Sequence, residues 1–399
     1  MAGGQPLPTQ ASPPEAEERP QWGGFVLACS AYLAASVGES LLSPIFPTTA
    51  KDLGLDLTLG GTAFGLLTGS IAVANIVGGR LLPRLGATRV IRIAGLLTVV
   101  GALLAATAPS FPQLAAAQVL LGAGSGFYFP AGIQAVGMLA GSRRKGFAMG
   151  MFGVAFSGGL TIAAVLAALG ADHGWRVPFV VSAVLSVAAL VGTLWLRTPP
   201  LAPPAARARI GDVLGLPTFV GTVGSVCQYG TVSFLTTFAV DEWGMTVAAA
   251  AALLAVGRVL SILAKVLSGA GADRTGPLTS AKRTAALLVA TGLGWTLLPA
   301  SIPTYALAAV FAGTVSSLFP LANVLAFERF GAQGGALGLY RSVQIGLGAL
   351  ATFLVGVAAD VVGLRPVLAV TVVLPLLLFT VGRQTPSEEP TVRGSAAAS

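Results

Sequence analysis

Gly79-Arg80-Leu81-Leu82-Pro83-Arg84-Leu85-Gly86-Ala87-Thr88-Arg89 and Gly269-Ala270-Gly271-Ala272-Asp273-Arg274-Thr275-Gly276 share one skeleton at an offset of 190 residues. Gly79 aligns with Gly269, Arg84 with Arg274 and Gly86 with Gly276. Each stretch ends a long apolar run with a base and a glycine, the composition of a tight turn between two helices. Further along, the same offset of 190 pairs Phe129-Pro130 with Phe319-Pro320. An offset of 188 pairs Ala148-Met149-Gly150-Met151-Phe152 with Ala336-Leu337-Gly338-Leu339-Tyr340, and Asp172 with Asp360. Four matches in the same order point to duplication of one unit.

What is duplicated follows from composition. Of 399 residues, 54% are apolar and 10% charged, and the mean hydropathy is +0.83. A soluble domain carries about 25% charge. Soluble enzyme, nucleic-acid binder and disordered scaffold are excluded on that ground. Cys29 and Cys227 both lie in apolar runs, so neither a disulfide framework nor a metal site is expected. Runs of about 20 apolar residues are long enough to cross a bilayer as helices. Twelve occur: 24–46, 59–81, 90–108, 113–138, 146–169, 177–196, 213–239, 247–270, 284–299, 303–326, 335–357 and 364–382. The expected fold class is an all-α membrane protein, twelve transmembrane helices in two pseudo-symmetric six-helix bundles.

Residues 1–22 are Pro-rich and acidic, without a basic start or cleavage site, and read as a disordered cytoplasmic tail. Residues 23–196 form the expected N-terminal bundle, 197–211 a linker with four prolines, 212–383 the C-terminal bundle and 384–399 a second tail. Placing both termini inside puts 17 of the 23 Lys and Arg residues in cytoplasmic loops and tails. Lys51, Arg176 and Arg365 are the three outside, and Arg258, Lys265 and Arg341 are the three within spans. This asymmetry orients the chain and accounts for its net charge of +8 without nucleic acid. A multi-pass protein of a bacterial inner membrane, monomeric in the bilayer, is expected.

The two loop stretches resemble the major facilitator superfamily of secondary transporters, whose loop between spans 2 and 3 reads G-x-x-x-D-R-x-G-x-x-R. The second copy keeps Asp273-Arg274-x-Gly276; the first has Pro83 in the acidic position but retains Gly79, Arg84, Gly86 and Arg89. The span-4 pattern R-x-x-x-G-x-G is matched by Gln118 to Gly124, with Gln118 in place of the Arg. The resemblance covers about residues 24–384. It implies that the loop motif, Gly79, Arg84, Gly86, Arg89, Gly269, Asp273, Arg274 and Gly276, latches an inside-closed state. It also implies that spans 5 and 11, rich in glycine, pack across the interface between halves. On the residues alone, the alternative is that the bases are positive-inside anchors only and the glycines plain close packing.

A charge in hydrocarbon needs a partner or a cavity, so each one inside a span is a functional candidate. Arg258 lies at the middle of span 8: a substrate site, or a structural ion pair. Lys265, seven residues on, is a further candidate for the substrate site, or it snorkels or pairs with Glu328. Arg341 lines the cavity or closes the cytoplasmic gate. Glu39, the only acid deep in a span, is a coupling proton site or the neutraliser of Arg258. Tyr32, Tyr128, Gln228, Tyr229 and Asn323, with Asn75, Gln134 and Gln344, are polar groups available to line a cavity or to bond between helices. No nucleotide loop, metal cluster or catalytic triad is present, so no cofactor and no enzymatic activity are expected. Three bases against one acid favour a small anionic solute, a carboxylate or inorganic anion, carried by alternating access with or without a coupling proton. The competing reading is a proton-coupled exporter of lipophilic or cationic drugs.

Overall fold

The computed structural model describes residues 21–140, 145–198, 209–330 and 334–382, and every regular element among them is helical. The predicted tails apart from Gln21 and Trp22, most of the linker, and Arg143 and Arg144 lie outside the described residues, and Trp22, read as the end of the first tail, opens the first helix. The helices are α1 (Trp22–Leu53, bent at Leu41), α2 (Leu57–Leu85), α3 (Ala87–Ala106), α4 (Phe111–Leu139), α5 (Lys145–Gly170) and α6 (Val177–Gly192). There follow α7 (216–243), α8 (Val247–Thr275), α9 (Pro277–Leu297), α10 (Ile302–Phe330), α11 (Gly334–Val362) and α12 (Leu364–Thr380). Among the described residues, nine are long and apolar enough to cross a membrane: α1 to α6, α8, α10 and α11.

Of the other three predicted spans, α9 is a regular helix with two charges near its start, and α7 and α12 are helical but irregular. In α7, the helix Leu216–Cys227 passes into a π-turn at Gln228–Val232 before resuming at Leu235–Trp243. A π-turn frees backbone carbonyls, and Ser43 Oγ on α1 donates to two of them, Ser233 O at 3.0 Å and Val232 O at 3.3 Å. Thr236 Oγ1 returns a bond to Ser43 O at 2.6 Å. Lys282 and Arg283 lie in the first two turns of α9, and α12 changes to a 3-10 turn at Leu374.

The first six helices form one bundle and the last six another: α4 packs on α1, α2 and α3, while α10 packs on α7, α8 and α9. The bundles meet along α2 with α11, α5 with α8, and α1 with α7. So spans 5 and 11 do lie at the interface, though against α8 and α2 and with their glycines mostly elsewhere. Gly150, Gly153 and Gly338 face open space, Gly159 abuts α1, and Gly348 abuts α7. The glycines that set the inter-bundle approach are Gly61 and Gly356. A Cβ on Gly356 would lie 2.4 Å from Leu57 O, and one on Gly61 would lie 2.8 Å from Thr352 O. Asp360 at the end of α11 then caps α2 from the other bundle, accepting from Leu57 N at 3.1 Å and Thr58 N at 2.6 Å.

The duplication reaches backbone detail. Six of the seven positive-φ glycines fall into repeat pairs: Gly54 with Gly244, Gly86 with Gly276, and Gly174 with Gly363. On the face away from the basic loops, Arg176 donates to Asp52 at 2.8 Å and to Ala108 O at 2.7 Å, stacked 4.3 Å over Trp175. Arg365 donates to Glu242 at 2.9 Å and to Thr296 O at 3.1 Å. The two clamps join equivalent helix ends, so Arg176 and Arg365, read from sequence only as loop charges, are structural. A matching device on the face of the basic loops is Arg92, which donates to Thr193 O and Leu194 O and satisfies the C-terminal carbonyls of α6.

Candidate substrate site between the two bundles

Near the midplane, the interface brings residues of both bundles around Glu39. Ser125 on α4 donates to its carboxylate. Glu39 lies in electrostatic range of Arg258 on α8, Arg341 on α11 and Tyr229 in the π-turn of α7. Glu39 and Tyr229 are themselves repeat mates 190 residues apart, which puts them beside the pseudo-two-fold axis. Among the described residues no direct ion pair joins Glu39 to either base, and no described side chain bonds the Arg258 guanidinium. A base and an acid that face one another without pairing leave the charge of Arg258 available to a third group.

Arg341 reaches across to the first bundle, with its Cζ 3.9 Å over the Phe129 ring. Its Nε is buried without a protein partner. Phe129 borders an aromatic cluster in which Tyr32 stacks between Phe152 at 4.3 Å and Tyr128 at 4.9 Å, with Phe156 at 5.5 Å. These phenylalanines escaped sequence reasoning because an apolar side chain carries no contrast in a chain of apolar helices. Their repeated placement on α4 and α5, facing Tyr32, was the available signal.

Some predicted residues are already engaged. The Tyr128 hydroxyl donates to Ala28 O, which makes it an interhelical bond and not a solute contact. Tyr340 donates to Asn323 Oδ1 at 3.4 Å within the second bundle. Lys265 donates from Nζ to Ser157 Oγ on α5 at 3.1 Å, whereas Glu328 is exposed and bonds nothing among the described residues. Lys265 therefore bridges the bundles and does not pair with Glu328. Gln228 presents a buried, unpartnered Oε1 and Gln344 a buried, unpartnered Nε2. Asn75 is buried on α2, and Gln134 is exposed on α4.

Both turns of the loop motif depend on their glycine. Gly86 and Gly276 have φ of +76° and +83°, and nothing crowds a Cβ at either position. The positive-φ backbone requires glycine there. Each donates its N–H back, to Leu82 O and Ala272 O, ending α2 and α8 alike. Arg84, Arg89, Asp273 and Arg274 are exposed, and among the described residues none makes a cross-bundle bond. The span-4 pattern also acquires a physical meaning. A Cβ on Gly122 would lie 2.1 Å from Leu67 O of α2, and one on Gly124 would lie 2.5 Å from Thr98 Oγ1 of α3. Gln118 is fully buried one turn before them.

A family model, the Major Facilitator Superfamily, matches residues 28–351. The chain belongs to that superfamily. That superfamily is one of transporters, and the long apolar helices make this chain a multi-pass membrane protein. The quinolone resistance protein NorA of Staphylococcus aureus is 26% identical over 180 residues, 44% of this chain and 45% of NorA. The probable sulfoacetate transporter SauU of Cupriavidus necator is 27% identical over 160 residues, 40% of this chain and 37% of SauU. The chain thus matches less than half the length of these curated relatives. Among solved structures, a mutant of the nucleoside transporter NupG superposes with a TM-score of 0.72 at 13% identity, covering 89% of this chain and 98% of that one. An inward-facing, unoccupied bacterial homologue of the human lysosomal transporter Spinster gives 0.73 at 14% identity, covering 91% and 96%. At these identities the superpositions describe the fold.

Proposed function

We propose that this superfamily member carries a small anion, bound midway through the membrane by Arg258. The observation that carries the reading is the unpaired Arg258 guanidinium beside an incompletely neutralised acid. Arg341 and Lys265 add positive charge nearby. A guanidinium can hold a carboxylate, sulfonate or phosphate bidentately. Of the two sequence relatives, the one named for sulfoacetate agrees with an organic anion; the one named for quinolone resistance agrees with the aromatic cluster around Tyr32. In the second reading Glu39 is a proton site and the solute lipophilic or cationic. Uptake into proteoliposomes separates them: a panel of carboxylates, sulfonates and inorganic anions should compete with one another, and quaternary ammonium dyes should not. Competition by the dyes alone would reject the anion reading.

Alternation is proposed to run between the present state, sealed by α2 and α11 at Gly61, Gly356 and Asp360, and one sealed at the loop motif. Glu39 is the proposed acceptor of a coupling proton, and the monomer is the proposed functional unit. The basic loops and both termini are placed in the cytoplasm, beneath a bacterial inner membrane, with bundles at 23–196 and 212–383 joined by the linker 197–211. With Cys29 and Cys227 replaced, Lys51→Cys and Asp241→Cys should label from outside with an impermeant maleimide. Labelling from the cytoplasmic side alone would invert the topology.

A further inference from the structure

An apolar fissure of about 550 Å³ opens sideways between α2, α4 and α11, apart from the central charges. Leu66, Val73 and Val77 form its wall on α2, Ala123 and Phe127 its wall on α4, and Phe353 its edge on α11. The hydroxyls of Thr62 and Ser70 are its only polar side chains. A cleft so lined offers water or an ionic solute no bonding partners, whereas beside a bilayer it accepts hydrocarbon.

The stripe on α2 does not stop at the fissure. Val73, Val77, Arg80 and Arg84 follow one another at intervals of four, three and four residues, which is one helix face, and all four are exposed. Arg80 lies about 5 Å and Arg84 about 10 Å beyond Val77 along the axis, where the hydrocarbon gives way to headgroups. No described side chain or backbone group bonds either guanidinium. Pro83 stands where the superfamily motif has an acid, so the pair has no carboxylate within its own turn of α2. From Thr62 to Val77 the fissure runs about 22 Å, longer than the roughly 15 Å of hydrocarbon in one leaflet. An acyl chain entering from the basic face therefore stays inside it.

We propose that this face binds one anionic phospholipid from the leaflet on the basic side, its acyl chain in the fissure and its phosphate between Arg80 and Arg84. The fissure is walled by both bundles, so the lipid touches α2 and α11 together and is held only while they remain closed on one another.

The test measures how much phosphatidylglycerol the purified, full-length protein retains from phosphatidylcholine nanodiscs doped with it, by native mass spectrometry. At about fivefold per arginine near a membrane surface, Arg80→Gln with Arg84→Gln should lower the preference for phosphatidylglycerol by about 25-fold. The pair Arg80→Lys and Arg84→Lys should retain it, because the phosphate needs charge more than the planar fork. Val73→Trp, which fills the fissure and spares both arginines, should also lose the retained lipid. Arg274→Gln, at the equivalent end of α8, should keep it. Unchanged retention in the double Gln variant or in Val73→Trp would overturn the site, and so would an equal loss in Arg274→Gln, which would mark a general attraction to basic loops.

Discussion

Arg258→Gln is expected to abolish anion transport while leaving expression and assembly near normal. The guanidinium is bonded to nothing that folding requires: its neighbours Glu39 and Tyr229 sense it through space, and no described group donates to it or accepts from it. Losing one charge-assisted hydrogen bond to a partly desolvated solute costs about 1.5–3 kcal/mol, or roughly 10- to 150-fold in affinity. Arg258→Lys should be tolerated in part, since the ammonium keeps the charge and loses the fork. Glu39→Gln on the same panel supplies the opposite arm. If Arg258→Gln still carries anions and Glu39→Gln carries nothing, the solute is held by the acid and the anion reading ends.

Gly356→Val is expected to stop alternation by preventing closure at the face opposite the basic loops. Any Cβ there meets Leu57 O at 2.4 Å, a backbone atom that cannot swing away as a side chain can. Overpacking of this kind costs about 1–3 kcal/mol, which shifts a two-state population by roughly 5- to 150-fold. Spin labels at Lys51→Cys and Asp241→Cys should report a longer distance in the variant than in the parent. Gly338→Val, on the same helix but facing open space, controls for the helix substitution itself. The complementary change, Asp273→Asn, should shift the populations the other way, shortening this distance and lengthening that across Leu85→Cys and Thr275→Cys on the basic face. If neither pair of distances moves and transport is normal, the glycine contact is mere packing and the loop motif an anchor.

How far these arguments were legible in the sequence depends on contrast. The bilayer demands long apolar runs, so helices such as α2 and α8 stand out from the residues alone, and charges such as Arg258 and Glu39 stand out inside them. The break in α7 does not. Gln228 to Val232 read as an ordinary stretch of span, because nothing in apolar composition distinguishes a π-turn from an α-turn. Contacts were legible only where the repeat could be followed. Asp52, Ala108 and Arg176 recur at offsets of 190, 188 and 189 as Glu242, Thr296 and Arg365, yet no loop charge announces which helix end it will reach. The Lys265 bond to Ser157 was hidden for the same reason: a serine in a span is common, and its facing partner is set by how two bundles dock. Phe129 beneath Arg341 was hidden because aromatic residues serve lipid contact, packing and cation binding alike.

The two arginine clamps bear on how such a machine keeps its shape while it works. Each welds the tips of three helices into a stiff plate, Arg176 for the first bundle and Arg365 for the second. A load applied to one helix of a plate is then shared by the others instead of being lost in local bending. With the plates rigid, the compliance left to the molecule lies along the seam between them, and the lever arm runs from that seam to the solute. If Arg258 holds the solute as proposed, a pull of a few ångströms there is delivered to the far rim as rotation of a whole half.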